Sequence, residues 1–198
     1  MIEEAQAISD LIAGLPEPDQ PHFEGSLSTA FGCTLEGTIE DTVILSCAER
    51  LMEAGCDEIG LSDTTGYGNP ASVTRLIRLV RGVVGDDKVT GVHLHNTRGL
   101  GLASALAAFE EGITTFDSSL GGLGGCPTAP GASGNIVTED LVFMFEAMGV
   151  DTGIDLDALM RTREFITANL PGEPLYGFVP RAGLPLGFKA ASHDVSKS

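Results

Sequence analysis

Basic residues are scarce in this sequence. Lys and Arg number 11 against 28 Asp and Glu in 198 residues, for a formal net charge of −17. Neither nucleic acid nor an anionic membrane is expected as the main partner, because both call for a cationic surface. A bound cation suits such a balance. Cysteine is sparse as well. Cys33, Cys47, Cys56 and Cys126 form no Cys-x-x-Cys and no small-domain disulfide framework, so reduced thiols in a cytoplasmic setting are expected. No apolar run reaches membrane-spanning length. The opening Met1 to Gln6 lacks the basic and apolar regions of a signal peptide. What is present is a hydrophobic share of 42%, enough at this length for one domain with a real core.

A strand–loop–helix unit recurs at spacings of about 30 residues. A leading helix over Ile2 to Leu15 belongs to a first segment, 1–20. Four β/α units fill 21–150. Their strands are expected at His22–Thr29, Asp57–Ser62, Lys88 onward and Ile113–Ser119. Their helices are expected at Thr38–Ala54, Pro70–Val84, Gly101–Glu111 and Thr138–Met148. A last helix, Asp155–Leu170, and an irregular, partly disordered tail make up 151–198. Such alternation means parallel strands with right-handed crossovers. It fits an open doubly wound sheet or part of a TIM (β/α)8 barrel. A complete barrel takes eight units and about 250 residues. The count therefore points to the second half of a barrel, beginning inside its fourth helix.

In both architectures function gathers where strands end and the next loops begin. The most informative end is Val89-Thr-Gly-Val-His-Leu-His-Asn-Thr-Arg98. A side-chain period of two puts Gly91, His93 and His95 on one face, so both imidazoles can reach one ion. A hard divalent ion, Mg2+ or Mn2+, also wants oxygen. Asn135, in the Gly131–Asn135 loop, offers an amide oxygen, or is simply a turn residue. Asp63 and Asp117 are in range by topology. Asp63 reads as a rim acid or base, or as a turn carboxylate accepting backbone hydrogen bonds. Cys126, in Gly-Gly-Cys-Pro, has little around it to bury a thiol and is a candidate acid. Cys33 is intermediate, while Cys47 and Cys56 read as packing. Glu139 suits the first turn of its helix. Gly99-Leu-Gly-Leu-Ala-Ser104 imitates a dinucleotide fingerprint but reads better as a closely packed helix start.

With these residues placed, the sequence resembles the 3-hydroxy-3-methylglutaryl-CoA lyase family. These are metal-dependent (β/α)8 lyases related to isopropylmalate and homocitrate synthases. The resemblance rests on Gly91-Val-His-Leu-His-Asn-Thr97, on Phe116 to Pro127 with its Gly-Gly-Cys-Pro, and on Gly131-Ala-Ser-Gly-Asn-Ile-Val-Thr-Glu-Asp-Leu141. Ser28 to Cys33 and Leu61-Ser-Asp-Thr-Thr-Gly66 agree with it. It implies that His93, His95 and Asn135 bind Mg2+ or Mn2+, and that Cys126 is the catalytic thiol. It also implies that Asp63 lies beside the substrate as an acid–base or hydrogen-bonding group, with Glu139, Thr64 and Cys33 in support. The implied reaction cleaves an acyl-CoA, 3-hydroxy-3-methylglutaryl-CoA, to acetyl-CoA and acetoacetate. Asn96 and Thr34 stand where the family commonly has Asp and Pro. The family's first-strand Asp-Arg-Glu element has no counterpart here, so this polypeptide alone is expected to be inactive or nearly so. Open sheet edges at Phe23 and Thr115 are expected to invite pairing, as a homo-oligomer or with a complementary chain. Two alternatives stand beside the lyase: a non-catalytic half-barrel that binds metal or a partner chain, and a synthase-type condensing enzyme.

Overall fold

The computed structural model describes residues 1–125 and 134–191. Four strands form one wholly parallel sheet in sequential order: β1 (Glu24–Leu27), β2 (Glu58–Asp63), β3 (Gly91–Leu94) and β4 (Thr115–Asp117). Among the described residues, β1 and β4 each pair with one strand only. The intervening helices are α2 (Asp41–Glu53), α3 (Pro70–Val84) and α4 (Gly101–Glu110), with α1 (Ile2–Ala13) ahead of them and α5 (Thr138–Ala147) after β4. The expected elements are all present, with the strands trimmed at their ends. No helix among the described residues is long and apolar enough to cross a membrane.

Local chemistry explains the helix boundaries. Asn69 accepts a hydrogen bond from the Ser72 amide at 3.1 Å, and Ser72 Oγ accepts one from the Asn69 amide at 2.9 Å. This reciprocal cap, with Pro70 at the first turn, starts α3 where the sequence places it. Val73, Leu76, Ile77 and Val80 then form one buried stripe. In α2 the buried face is Ile44, Ala48 and Leu51, whereas Val43, which the apolar spacing Ile39, Val43, Cys47 and Leu51 would bury, is 52% exposed. The helix is rotated because alanine, weakly hydrophobic in a sequence count, can approach the sheet closely.

The strand faces divide sharply. Ile59 and Leu61 of β2 and Val92 and Leu94 of β3 are essentially inaccessible and pack under the helices. Each such side chain contributes about 1.5–3 kcal/mol of burial. The other face carries Glu24, Ser26, Gly60, Ser62, Gly91, His93 and Asp117 around a small polar hollow. Phe145 of α5 closes the far end of the core against Phe109 and Phe116, with ring centroids 5.2 and 5.1 Å apart.

Beyond the expected last helix, 171–191 is irregular apart from one short helix, and 192–198 lie outside the described residues. The final long helix, α6 (Leu156–Asn169), buries Leu156 and Arg163, while Leu170, which the apolar spacing Leu156, Leu159, Ile166 and Leu170 would bury, is 39% exposed. Beyond it a short helix, α7 (Val179–Ala182), is held by Asp140, whose carboxylate accepts from the Phe178 and Val179 amides. The Ala191 amide donates to Glu146 at 2.7 Å. The tail is thus fastened to α5 by two buried carboxylates, contacts that no local pattern in the tail itself announces.

Candidate active site

The site is built from β3 outward. His93 is in register with Ser62 on one side and Asp117 on the other, all on the open face of the sheet. His95 continues the same parity one step past the strand, where it forms an isolated bridge with Asn135. The two imidazoles face each other, with Nε2 atoms 3.1 Å apart. His93 Nδ1 lies 3.4 Å from Asp117 Oδ2, so the carboxylate can orient that ring.

Asn135 arrives from the loop before α5. The Asn96 amide donates to the Gly134 carbonyl and the Ile136 amide to the Leu94 carbonyl, both at 3.0 Å, laying this loop along the end of β3. Asn135 Nδ2 donates to the Leu123 carbonyl at 2.7 Å. Its Oδ1, like Nδ1 of His95, is buried without a partner among the described residues. Buried acceptors of this kind are normally satisfied, and an unsatisfied one costs about 1–3 kcal/mol. Two converging ring nitrogens beside an unpaired amide oxygen are a donor set that fits a divalent cation of the Mg2+ or Mn2+ type. Among the described residues, no group of three or more His, Cys, Asp or Glu side chains is assembled to hold a metal.

Burial and the neighbouring His93 push the His95 pKa down to about 4. The ring is therefore neutral near pH 7, as a metal ligand must be. The unfolded chain takes up this proton near pH 6.5, so between about 6.5 and 4 it binds more protons than the folded one. Stability consequently falls as pH drops through that window. The metal-free chain should lose more urea resistance between pH 7 and pH 5 than its His95→Asn variant loses over the same interval.

Asp63, Thr64 and Cys33 lie away from the histidine pair. Asp63 shares its parity with Leu61 and is in register with Leu94, on the face away from His93. Its carboxylate accepts from the Tyr67 and Gly68 amides at 2.8 and 2.9 Å. Burial raises its pKa. The structure thus realises the turn-bracing alternative and does not bring Asp63 to the histidine pair. Thr64 Oγ1 accepts from the Thr29 amide at 3.1 Å, and Thr65 Oγ1 donates to the Gly32 carbonyl at 2.8 Å, which joins the first two rim loops. Cys33 accepts from the Leu35 amide within the first of them. Cys126 lies outside the described residues. Cys56 is buried as expected, with its thiol pKa raised, while Cys47 is partly buried against the core.

Two residues not foreseen brace the surrounding loops. Arg98 donates to the Thr65 and Gly66 carbonyls and stacks over the Tyr67 ring, 4.4 Å from its centroid. Arg163 pairs with Glu139, which is fully buried, at 2.6 Å. The glycine run after β3 is a helix start. Asn96 Oδ1 accepts from the Gly101 amide at 2.9 Å, and a Cβ on Gly101 would come within 2.3 Å of Ile136.

Parallel strands, outer helices and a polar constellation at the strands' carboxyl ends are the architecture of a portion of a (β/α)8 barrel. Comparison with known proteins makes this specific. The family model described as HMGL-like matches residues 5–166, and the chain belongs to that family. The (R)-citramalyl-CoA lyase of Chloroflexus aurantiacus is 45% identical over 161 residues, 81% of this chain and 50% of that protein. The hydroxymethylglutaryl-CoA lyase of Pseudomonas mevalonii is 40% identical over 167 residues, 84% of this chain and 54% of that protein. The structure of an HMG-CoA lyase from Acinetobacter baumannii, solved with coenzyme A and 3-methylmalate, superposes with a TM-score of 0.80 at 42% identity, over 92% of this chain and 58% of that one. The Bacillus subtilis HMG-CoA lyase gives 0.81 at 34% identity, over 91% and 58%. The chain therefore spans about half the length of the curated relatives it matches.

Proposed function

We propose that this chain supplies the metal-binding side of a carbon–carbon lyase acting on CoA thioesters of 3-hydroxy-3-methyl diacids. The observation that carries the reading is the pair of imidazole nitrogens 3.1 Å apart beside the unpaired Asn135 oxygen. His93, His95 and Asn135 would hold Mg2+ or Mn2+. Bound there, the cation would supply Lewis acidity to the substrate's C3 oxygen and carboxylate. Neutral His95 binds without first shedding a proton, and Asp117 keeps the His93 ring in place. Loss of the C3 hydroxyl proton to solvent lets the C2–C3 bond break, its electron pair passing into the thioester enolate. In this proposal the Cys126 thiol gives its proton to C2, yielding acetyl-CoA, and the thiolate takes the proton back from solvent. Asp63, Thr64 and Arg98 serve by fixing the rim loops around the substrate, and Glu139 by fixing the loop that carries Asn135.

Two substrates deserve direct comparison, because relatives at 45% and 40% identity are named for different ones. Citramalyl-CoA and 3-hydroxy-3-methylglutaryl-CoA differ by one methylene between C3 and the free carboxylate. The relatives are longer than the matched span, and we propose that the reaction needs that further part as well. The assay follows acetyl-CoA release with Mg2+, from this chain alone and with a polypeptide carrying the preceding four β/α units of a relative. Pyruvate as co-product marks the citramalyl ester, and acetoacetate the methylglutaryl ester. Little or no release from the chain alone and clear release from the reconstituted barrel is the expected result. No release from either ester in the reconstituted protein would leave a non-catalytic metal-binding half-barrel.

A further inference from the structure

α6 lies outside the rim loops, yet one of its two buried residues is a cation. Arg163 is 8% exposed. Its Nη1 donates to Glu139 Oε1 at 2.6 Å and to the Tyr176 carbonyl at 2.8 Å. Glu139 in turn accepts from the Gly121 amide, its oxygens 3.1 and 3.2 Å away. The Gly121 carbonyl accepts from the Tyr176 amide at 2.8 Å. A Cβ on Gly121, whose φ is +64°, would come within 2.9 Å of Arg163 Nη1, so the guanidinium lies against that backbone. Gly121 is therefore gripped at its amide, its carbonyl and its Cα by one connected cluster.

The grip continues to the histidines. Two residues on, the Leu123 carbonyl accepts from Ser119 Oγ at 2.5 Å and from Asn135 Nδ2 at 2.7 Å. Gly122 packs so tightly on Gly134 that a Cβ there would sit 1.9 Å from the Gly122 carbonyl. An amide has two ends. With Nδ2 tied to Leu123, Oδ1 of Asn135 is left turned away from that bond and without a partner among the described residues. A buried ion pair is a poor way to dock a helix, since apolar residues of like volume do as well or better. A charge kept at this place calls for a reason beyond docking α6.

We propose that Arg163 is a positioning residue of the metal centre. Through Glu139 it holds the Gly121–Leu123 turn, and through the Leu123 carbonyl it aims the Asn135 oxygen at the ion held by His93 and His95. This rests on reading the histidine pair as metal ligands and adds α6 and the Tyr176 segment to the site.

Mn2+ affinity, measured by electron paramagnetic resonance on the full chain, tests the idea. Arg163→Met should weaken binding about tenfold, the usual scale for an outer partner of a metal ligand. In an Asn135→Ala background the same change should have no further effect, because Arg163 acts only through Asn135. Arg163→Lys, which keeps a cation against Glu139, should recover most of the affinity. Unchanged affinity in Arg163→Met, or a full second loss in the double variant, would overturn the proposal. A helix-docking role alone would lower the thermal midpoint and leave Mn2+ binding where it was. Should Arg163→Met fail to fold, the unaltered chain decides. Coupling is reciprocal, so saturating Mg2+ should slow hydrogen exchange at the Gly121 and Tyr176 amides, and unchanged exchange sinks the proposal. If the unaltered chain and its His93→Ala/His95→Ala variant bind Mn2+ equally, the metal reading itself has failed, which is a separate result.

Discussion

Replacing His93 and His95 together by alanine should weaken Mn2+ binding by more than about 100-fold, beyond the range that outer partners of ligands command. The effect is large because the two nitrogens converge, 3.1 Å apart, as two ligands of one ion would, and the variant removes both. The loss must be told apart from unfolding. The His93 side chain is 31% exposed, so its truncation leaves no sealed cavity, whereas His95 is 5% exposed and its truncation leaves a small one. Circular dichroism and a urea midpoint close to that of the unaltered chain would make that distinction. Asp117→Asn should cost less, about tenfold, since Asp117 Oδ2 reaches only the far nitrogen of His93 at 3.4 Å. Calorimetric titration of all three proteins gives the ordering. A double variant that binds Mn2+ as tightly as the unaltered chain would remove the rim pair from consideration as a metal centre.

Much of this site was legible because strand periodicity is rigid. A period of two sets His93 and His95 on one face whatever the tertiary context, and the structure places them so. The same rule applied to β2 puts Asp63 with Ile59 and Leu61, away from the histidines. That signal was present in the sequence and outweighed by the residue's position at a strand end. Asn69-Pro70 marks the start of α3 because capping chemistry is local. What stayed hidden depends on residues far apart in the chain. Glu139 and Arg163 are 24 positions apart, and each reads alone as a helix surface charge. Arg98 closes the strand-end stretch in the sequence, but its role shows only once the Tyr67 ring and the Thr65 and Gly66 carbonyls are brought beneath it. In α6, Leu156 is buried but Leu170 is left 39% exposed, and a buried ion pair shares in seating the helix.

Glu139→Ala should be the most destabilising single change in this region, at about 3–5 kcal/mol. The Glu139 carboxylate is wholly inaccessible and is the anion of an Arg163 guanidinium whose side chain is 9% exposed. Removing it strands a buried cation, deprives the Gly121 amide of its acceptor and leaves a void under the turn. The cost therefore lies mainly in what is left behind, and that distinguishes the ion pair from a favourable contact in its own right. Glu139→Leu combined with Arg163→Met removes both charges and should recover most of the stability. It should fall short by about 1 kcal/mol for the Gly121 amide left without its acceptor. Urea unfolding of the single and double variants measures the difference. If Glu139→Ala lay within about 1 kcal/mol of the unaltered chain, Arg163 would have found water or another anion, and the cluster would not be the rigid seat of α6. The double variant carries a further consequence. It should be a stable protein with a misaimed Asn135, folding well while binding Mn2+ poorly, which separates what this buried pair does for the fold from what it does for the site.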